Sequence, residues 1–270
     1  MIDAVADWAK QRGLVSIIGP KGLSVLDGYG ILTEGFEHRQ LMNMVNYNLP
    51  YYPQLIEALG FNRENDFLSC YLELSKFNLP ERVHKIAERV TERGTLSVKK
   101  FQNKKELIAY AQKIGKAYNK AFVNNWEYAP LTEREVQLVL DNILAIANPK
   151  LIKIILHDDD VVGFLLGFPD VSEGLQRANG NLFPFGIIHI LRSLKKAKLI
   201  AFNGAGILPE YHGIGGNALL YSEMDKTLKE FEFDSVDMTQ IAETAEQMRA
   251  DLINLGGVPY RNHRVYRKDI

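Results

Sequence analysis

Cys70 is the only cysteine in this 270-residue sequence. A disulfide framework and a zinc–thiolate cluster are therefore excluded within one chain, and the residue reads as a small apolar packing unit. The six histidines, His38, His84, His157, His189, His212 and His263, contain no pair at i, i+4, so no metal is assigned. Long hydrophobic runs are missing too: none approaches the roughly 18 residues of a membrane span. The opening residues, Met1 to Asp7, carry two aspartates and no basic residue, unlike a signal region. These absences lead to the expectation of a cytoplasmic protein with no membrane partner. Charge of one sign is also absent, with 32 basic against 33 acidic residues, which leaves no global field to recruit nucleic acid. No Gly-Lys-Ser/Thr occurs, and Gly204-Ala205-Gly206 leads into Pro209 rather than into a helix. A nucleotide-binding enzyme of another fold thus has little support.

What is present is an ordinary globular composition, 46% hydrophobic, long enough for one large or two ordinary domains with a full core. The chain is organised around residues 199 to 231. An apolar run (Leu199 to Phe202) reads as a strand, and Pro209-Glu210-Tyr211-His212-Gly213-Ile214-Gly215-Gly216-Asn217 as a turn. Leu220, Met224, Leu228 and Phe231 then form one helical face. Three glycines within four residues leave the backbone N–H groups bare where an opening helix has unpaired donors and a positive dipole end, a place where phosphate could dock.

In chain order, residues 1 to 12 read as late turns of a helix ended by Gly13, Leu14 to Ile18 as a strand, and Gly19 to Gly35 as a long loop. Pro50-Tyr51-Tyr52-Pro53 opens a helix with Leu55, Ile56 and Leu59 inward, followed by a strand over Phe67 to Leu74. Pro80 to Arg93 is a connecting helix and Leu96 to Lys100 a strand. Asn103 with Glu106, and Thr132 with Glu135, make capping boxes for two helices, the second stapled by Leu131 and Val136. Leu151 to His157 and Val161 to Phe168 form a hairpin around Asp158-Asp159-Asp160, with Gly163 a candidate bulge. A solvated turn explains these aspartates better than a cation site. Asp170 with Glu173 caps a short helix, and Pro184 to Leu194 gives another with Ile187, Ile188, Leu191 and Leu194 inward and a basic tail. Ser235 to Met238 is a strand, Thr244 with Gln247 caps a helix stopped by Gly256-Gly257, and a strand around Val265 and Tyr266 closes the chain.

The order helix end, strand, helix, Leu-Gly stop, strand occurs twice. Leu14-Val15-Ser16-Ile17 answers Phe233-Asp234-Ser235-Val236, and Ile56-Glu57-Ala58-Leu59-Gly60 answers Leu252-Ile253-Asn254-Leu255-Gly256. Either residues 1 to 78 are the second half of a module whose first half is missing, or the similarity reflects a common helix-to-strand connection.

Residues 95 to 270, with "ILPEYHGIGGNALLY" (Ile207 to Tyr221) and the late Leu-Gly stop, resemble the GNAT superfamily of acetyl-CoA-dependent N-acetyltransferases. The first residues resemble a degenerate half-module of the same type, 1 to 78, joined through the helix at 79 to 94. The resemblance implies an α/β (α+β) fold with a mixed, mostly antiparallel central sheet flanked by helices and splayed after its fourth strand, with acetyl-CoA as acyl donor in the split. The backbone of Ile207 and Leu208 would pair with the pantetheine arm. The N–H groups of Gly213, Ile214, Gly215, Gly216 and Asn217 would hold the pyrophosphate beside His212.

Two departures stand out. The superfamily pattern Arg/Gln-x-x-Gly-x-Gly/Ala reads here as His212-Gly213-Ile214-Gly215-Gly216-Asn217, so only Gly215 matches outright. A histidine with the usual pKa of about 6.5 offers phosphate less than an arginine fork does, and His212→Arg is expected to tighten CoA binding. The tyrosine that many members use to reprotonate the CoA thiolate is replaced by Leu252. Tyr221 could face the thiol instead, Glu243 or water relayed from Asn203 could deprotonate the acceptor amine, and Trp126 could line the acceptor pocket or plug its loop. The expected activity is N-acetyl transfer to a small-molecule amine. The alternative is a CoA-binding or structural descendant without turnover. A homodimer is expected if the half-module leaves a sheet edge bare.

Overall fold

The computed structural model describes residues 1–22, 28–41, 45–143 and 147–270, apart from the side chains of residues 140–143 and 247. Among these residues the strands β1 (Ser16–Gly19), β2 (Ile31–Glu34), β3 (Asn62–Glu73), β4 (Ser97–Lys99), β5 (Ile152–His157), β6 (Asp160–Pro169), β7 (Leu199–Ile207), β8 (Ser235–Ala242) and β9 (Val258–Asp269) build one sheet. Its order is β1-β9-β3-β8-β7-β6-β5-β4, with β2 also on β9. Every pairing is antiparallel except β7 with β8. The mixed, mostly antiparallel sheet expected from the sequence is therefore present.

The N-terminal strands do not form a layer of their own, because β3 lies between β8 and β9 and hydrogen-bonds both. The divisions at residues 78 and 95 thus run across a single sheet. Part of the expected loop at Gly19 to Gly35 is β2, which pairs with β9; residues 23 to 27 of that loop lie outside the described ones.

Helices follow in sequence as α1 (Ile2–Lys10), α2 (Tyr52–Ala58), α3 (Glu81–Arg93), α4 (Lys104–Phe122), α5 (Glu133–Ile143), α6 (Ser172–Ala178), α7 (Gly186–Lys196), α8 (Gly216–Leu228) and α9 (Glu246–Asn254). Two start where the sequence says, for the reason it gives. The Glu106 N–H donates to Asn103 Oδ1 at 3.0 Å. Thr132 and Glu135 exchange both bonds of a capping box, at 2.7 and 3.3 Å, over a staple of buried Leu131 and Val136.

The core lies on both faces of β5, β6 and β7. On one face α4 packs down with Tyr118 stacked on Phe164, ring centroids 5.4 Å apart. On the other, α8 approaches so closely that a Cβ on Gly216 would come within 3.1 Å of Ile207 and 3.5 Å of Ile155.

Several local expectations are corrected. Asp170 does not cap α6 jointly with Glu173: it accepts from the Ser172 N–H at 2.9 Å, pairs with Arg39 at 2.9 Å, and leaves Glu173 to Arg177. The N-cap of α9 is Ala245 rather than Thr244, and the Gln247 side chain expected to complete that cap lies outside the described ones. In α2 only Ile56 packs inward, against Phe61 and Tyr266, while Leu55 and Leu59 are exposed.

The largest revision concerns α7. Gly174 of α6 lies so close to its backbone that a Cβ there would meet His189 O at 2.7 Å and Ile190 Cα at 2.8 Å. That approach turns the 189/190/193 side of α7 inward and leaves Ile187, Ile188 and Leu191 exposed.

Candidate functional site at the split between β7 and β8

The parallel ladder of β7 and β8 runs through four pairs, Leu199↔Ser235 to Phe202↔Met238, and stops. Its end coincides with an irregularity on the other side of β7. Between Gly167↔Phe202 and Leu165↔Ala205 the β6–β7 register shifts, with Asn203 and Gly204 supplying an extra residue and Gly204 at φ +126°. A bulge bends the strand that carries it, and β7 and β8 pair no further. The split opens into a cleft of about 1460 Å³.

Which backbone groups face the split follows from the register. Leu208 N–H donates to Val162 O at 2.9 Å, so Leu208 is committed to β6. Alternation along an antiparallel pair then directs the N–H and C=O of its neighbour Ile207 to the opposite edge, into the split. Of the two residues expected to meet a pantetheine arm, only Ile207 turns its groups that way, and its carbonyl already meets the His212 ring.

At the far end of β7 the chain enters the glycine turn. Gly213 and Gly215 hold positive φ, +77° and +92°, and Gly215 is the N-cap of α8. The N–H groups of its first turn have no partner inside the helix. Nothing lies within 4 Å of where a Cβ on Gly213 would stand. Gly213, Ile214, Gly215, Gly216 and Asn217 all line the cleft. The arrangement suits an anion, with bare amides, a helix mouth and room above them.

His212 lines the cleft but turns its ring back, its Nε2 2.9 Å from Ile207 O. The phosphate-facing place drawn for it from the sequence is not where its ring points. The cations beside the turn come from α3, a connecting helix by its sequence. The turn of α3 that touches Gly215 through Ile86 and Val90 also carries Arg89 and Arg93, and both line the cleft. Neither has an ion-pair partner among the described residues. Their positions on an amphipathic helix gave no signal, because only tertiary packing sets α3 against the mouth of α8.

The other end of the cleft is aromatic. Trp126 stands edge-on to Phe67 and Tyr29, at 5.9 and 6.4 Å, and Tyr29 stacks on Phe67 at 4.8 Å. Gln240 holds Tyr29 by both its N–H and its C=O, at 3.0 and 2.9 Å. Tyr29 and Phe67 belong to the N-terminal strands and loops, so residues 1 to 78 complete this wall. A second, predominantly apolar pocket of about 90 Å³ under α4 and α5 shares Tyr118 and Asn203 with the cleft.

No family model matches the chain. Protein YghO of Escherichia coli (strain K12) is 26% identical over 289 residues, covering 100% of this chain and 73% of that protein. The bacterial ceramide synthase of Caulobacter vibrioides (strain NA1000 / CB15N) is 24% identical over 273 residues, covering 98% and 70%. A GCN5-related N-acetyltransferase from Sphaerobacter thermophilus superposes with a TM-score of 0.51 at 15% identity, over 80% of this chain and 55% of that one. A tandem GNAT protein from the clavulanic acid biosynthesis pathway superposes with a TM-score of 0.50 at 12% identity, over 98% and 67%. The chain has the GNAT fold. It spans just over half of the Sphaerobacter structure and about seven-tenths of the two curated relatives.

Of the remaining candidates, Tyr221 and Asn203 line the split and Glu243 does not. Leu252, where many GNAT sequences carry a tyrosine, is buried and lines the cleft. Tyr221 lines the same cleft from α8, its hydroxyl 3.9 Å from Met248 Sδ, one turn of α9 before Leu252. Burial pushes its pKa up to about 12, and the charge of Asp251 adds to the shift. Asn203 sits in the bulge, in the wall of both pockets. Glu243 is not part of the cleft wall. It accepts from the Asp66 N–H at 3.2 Å and is ion-paired to Arg63, so its carboxylate is engaged with β3. The cleft's own acidic groups near α9 are Glu246 and Asp251. Among the described residues no three His, Cys, Asp or Glu gather to hold a metal.

Proposed function

We propose that the protein is an acyl-CoA-dependent N-acyltransferase that moves an acyl group, acetyl in the simplest case, to the amine of an apolar small molecule. One observation carries the reading: the split between β7 and β8 ends, past the Ile207 backbone, at a glycine turn whose bare amides open α8 beside Arg89 and Arg93. That sequence of groups suits a long ligand with an amide-bearing arm and a phosphorylated end. CoA is such a ligand.

In this reading the amides of residues 213 to 217 and the two arginines bind the phosphates, and the Ile207 backbone orients the arm. The amine attacks the thioester carbonyl, the carbon–sulfur bond breaks, and the Tyr221 hydroxyl gives its proton to the leaving thiolate. The amine loses its proton to a carboxylate at the cleft, Glu246 or Asp251, or to water held at Asn203. The aromatic wall of Trp126, Tyr29 and Phe67 suits an apolar acceptor, and the apolar side pocket can take alkyl carbons of donor or acceptor. The relative named a bacterial ceramide synthase agrees with this choice, since a ceramide is an N-acylated long-chain amine.

The second reading is a CoA-binding protein without turnover, and Leu252 in place of the thiolate acid favours it. Calorimetric titration with CoA and acetyl-CoA, followed by free-thiol release from acetyl- and long-chain acyl-CoA over polar and long-chain amines, separates the two. Amine-dependent thiol release is expected, greatest with long-chain amines. Binding without release for any acceptor would leave the second reading, and no binding at all would end both.

A further inference from the structure

The near-neutral total charge averages over one segment that is anything but neutral. Between Glu173 and Glu210 there is no acidic residue, while Arg177, Arg192, Lys195, Lys196 and Lys198 all fall in that stretch. Arg177 turns back to Glu173, and Lys198 to Glu232 and Asp234. Arg192, Lys195 and Lys196 have no ion-pair partner among the described residues.

The same segment carries the most exposed aromatic side chains of the molecule, Phe183 at 78% and Phe185 at 68%. Leu182, Ile187, Ile188 and Leu191 extend that surface along α7. Because α6 takes the 189/190/193 side of the helix, positions 187, 188 and 191 and then 192, 195 and 196 share its outward side. The apolar end is held in shape rather than loosely exposed: Ile187 N–H donates to Leu182 O at 2.8 Å and Ile188 N–H to Phe185 O at 3.0 Å.

We propose that this face, the Leu182 to Phe185 tip and the outward side of α7, docks the protein on an anionic lipid surface. A helix lying at a bilayer interface presents apolar side chains to the acyl boundary and Lys or Arg to the headgroups. A purely apolar partner would leave the three cations unmatched, whereas a bilayer of anionic lipid matches both halves of the face. Among the described residues no helix is long and apolar enough to cross a membrane.

The test is sedimentation of the full chain with vesicles of phosphatidylcholine alone or with an equal part of phosphatidylglycerol. Binding is expected only with the anionic vesicles and should weaken as salt is raised. Lys195→Gln with Lys196→Gln should weaken it about 30-fold, and Phe183→Ser about tenfold. Both variants change exposed side chains, and unaltered thermal unfolding will show that they fold. The reading of the β7–β8 split does not enter this assay, so failure here leaves the acyltransferase proposal standing. Equal binding to both vesicle types, no binding, or variants that bind like the parent would overturn the docking proposal. So would sedimentation equilibrium showing that the face closes a dimer which Phe183→Ser dissociates.

Discussion

Gly215→Ala and Gly213→Ala separate the two things a glycine does in the turn that opens α8. Both positions hold positive φ, so either alanine carries the left-handed penalty of about 1–2 kcal/mol. Only one of them also meets an obstacle. A Cβ at 215 would stand 2.6 Å from Val90 Cγ2 and 3.1 Å from Ile86 Cγ2, while one at 213 meets nothing within 4 Å. Val90 is buried on α3 and has little room to turn, so overpacking adds about 1–3 kcal/mol at 215. The expected losses are therefore roughly 2–5 kcal/mol for Gly215→Ala and 1–2 kcal/mol for Gly213→Ala. At about 2–4 °C per kcal/mol for a chain of nearly this size, the melting temperatures should separate clearly.

Val90→Ala removes the nearer obstacle. In that background the cost of Gly215→Ala should fall by at least about 1 kcal/mol, a coupling that a double-mutant cycle in urea resolves. Equal losses at the two glycines, or a Gly215→Ala cost indifferent to Val90→Ala, would refute the packing argument. The same proteins test the site. Gly213→Ala adds a methyl in the open space beside the mouth of α8 and costs the fold less than Gly215→Ala, so CoA affinity should fall while the protein stays folded; retained affinity would count against phosphates at this turn.

Arg89→Ala with Arg93→Ala should weaken CoA binding about tenfold at low salt and less at high salt, as for two partly exposed cations; calorimetry at two ionic strengths reads this, and an unchanged affinity removes α3 from the site. His212→Arg, which the sequence alone suggested would tighten binding, is expected from the His212–Ile207 bond to leave it equal or weaker, measured by the same titration. Tyr221→Phe should lower turnover about 10²-fold, in the range of a lost general acid, with acyl-CoA affinity unchanged; steady-state kinetics giving full turnover would release Tyr221 from that role. Burial pushes the Asp237 pKa up to about 6 in the folded protein, so the folded state holds this proton more tightly than the unfolded chain does. Stability is favoured while Asp237 is protonated and is lost as pH rises from about 4 to above 6, by up to about 3 kcal/mol. Asp237→Asn should abolish that term, so the variant's stability relative to the parent should increase across this window in urea titrations. Burial lowers the His263 pKa in both proteins, so its titration cancels from the difference.

Much of the fold was legible because its signals are local. The hairpin at Asp158, the boxes at Asn103 and Thr132, and the strand, glycine turn and helix that follow Leu199 depend on groups a few residues apart and stand where the sequence put them, although α8 ends at Leu228, short of Phe231. The glycine turn was legible for the same reason, since an opening helix needs a chain that can adopt positive φ. What went unread depends on partners distant in sequence. Periodicity marks an apolar stripe on α7, but only the close approach of Gly174 decides which side faces the protein. Composition marks α3 as amphipathic, but only its packing on Gly215 brings Arg89 and Arg93 to the cleft.

The sequence by itself determined most of the elements and the anion-ready turn, because backbone sterics and nearest-neighbour hydrogen bonds are written within a few residues; the mixed sheet was an expectation from the resemblance. The tertiary structure alone decided that β3 enters between β8 and β9, that Tyr29 and Phe67 complete the wall beside Trp126, and that His212 and Glu243 are drawn to partners of their own. Those outcomes are set by which surfaces exclude water together and which polar groups find each other once they do, and that competition spans the whole chain.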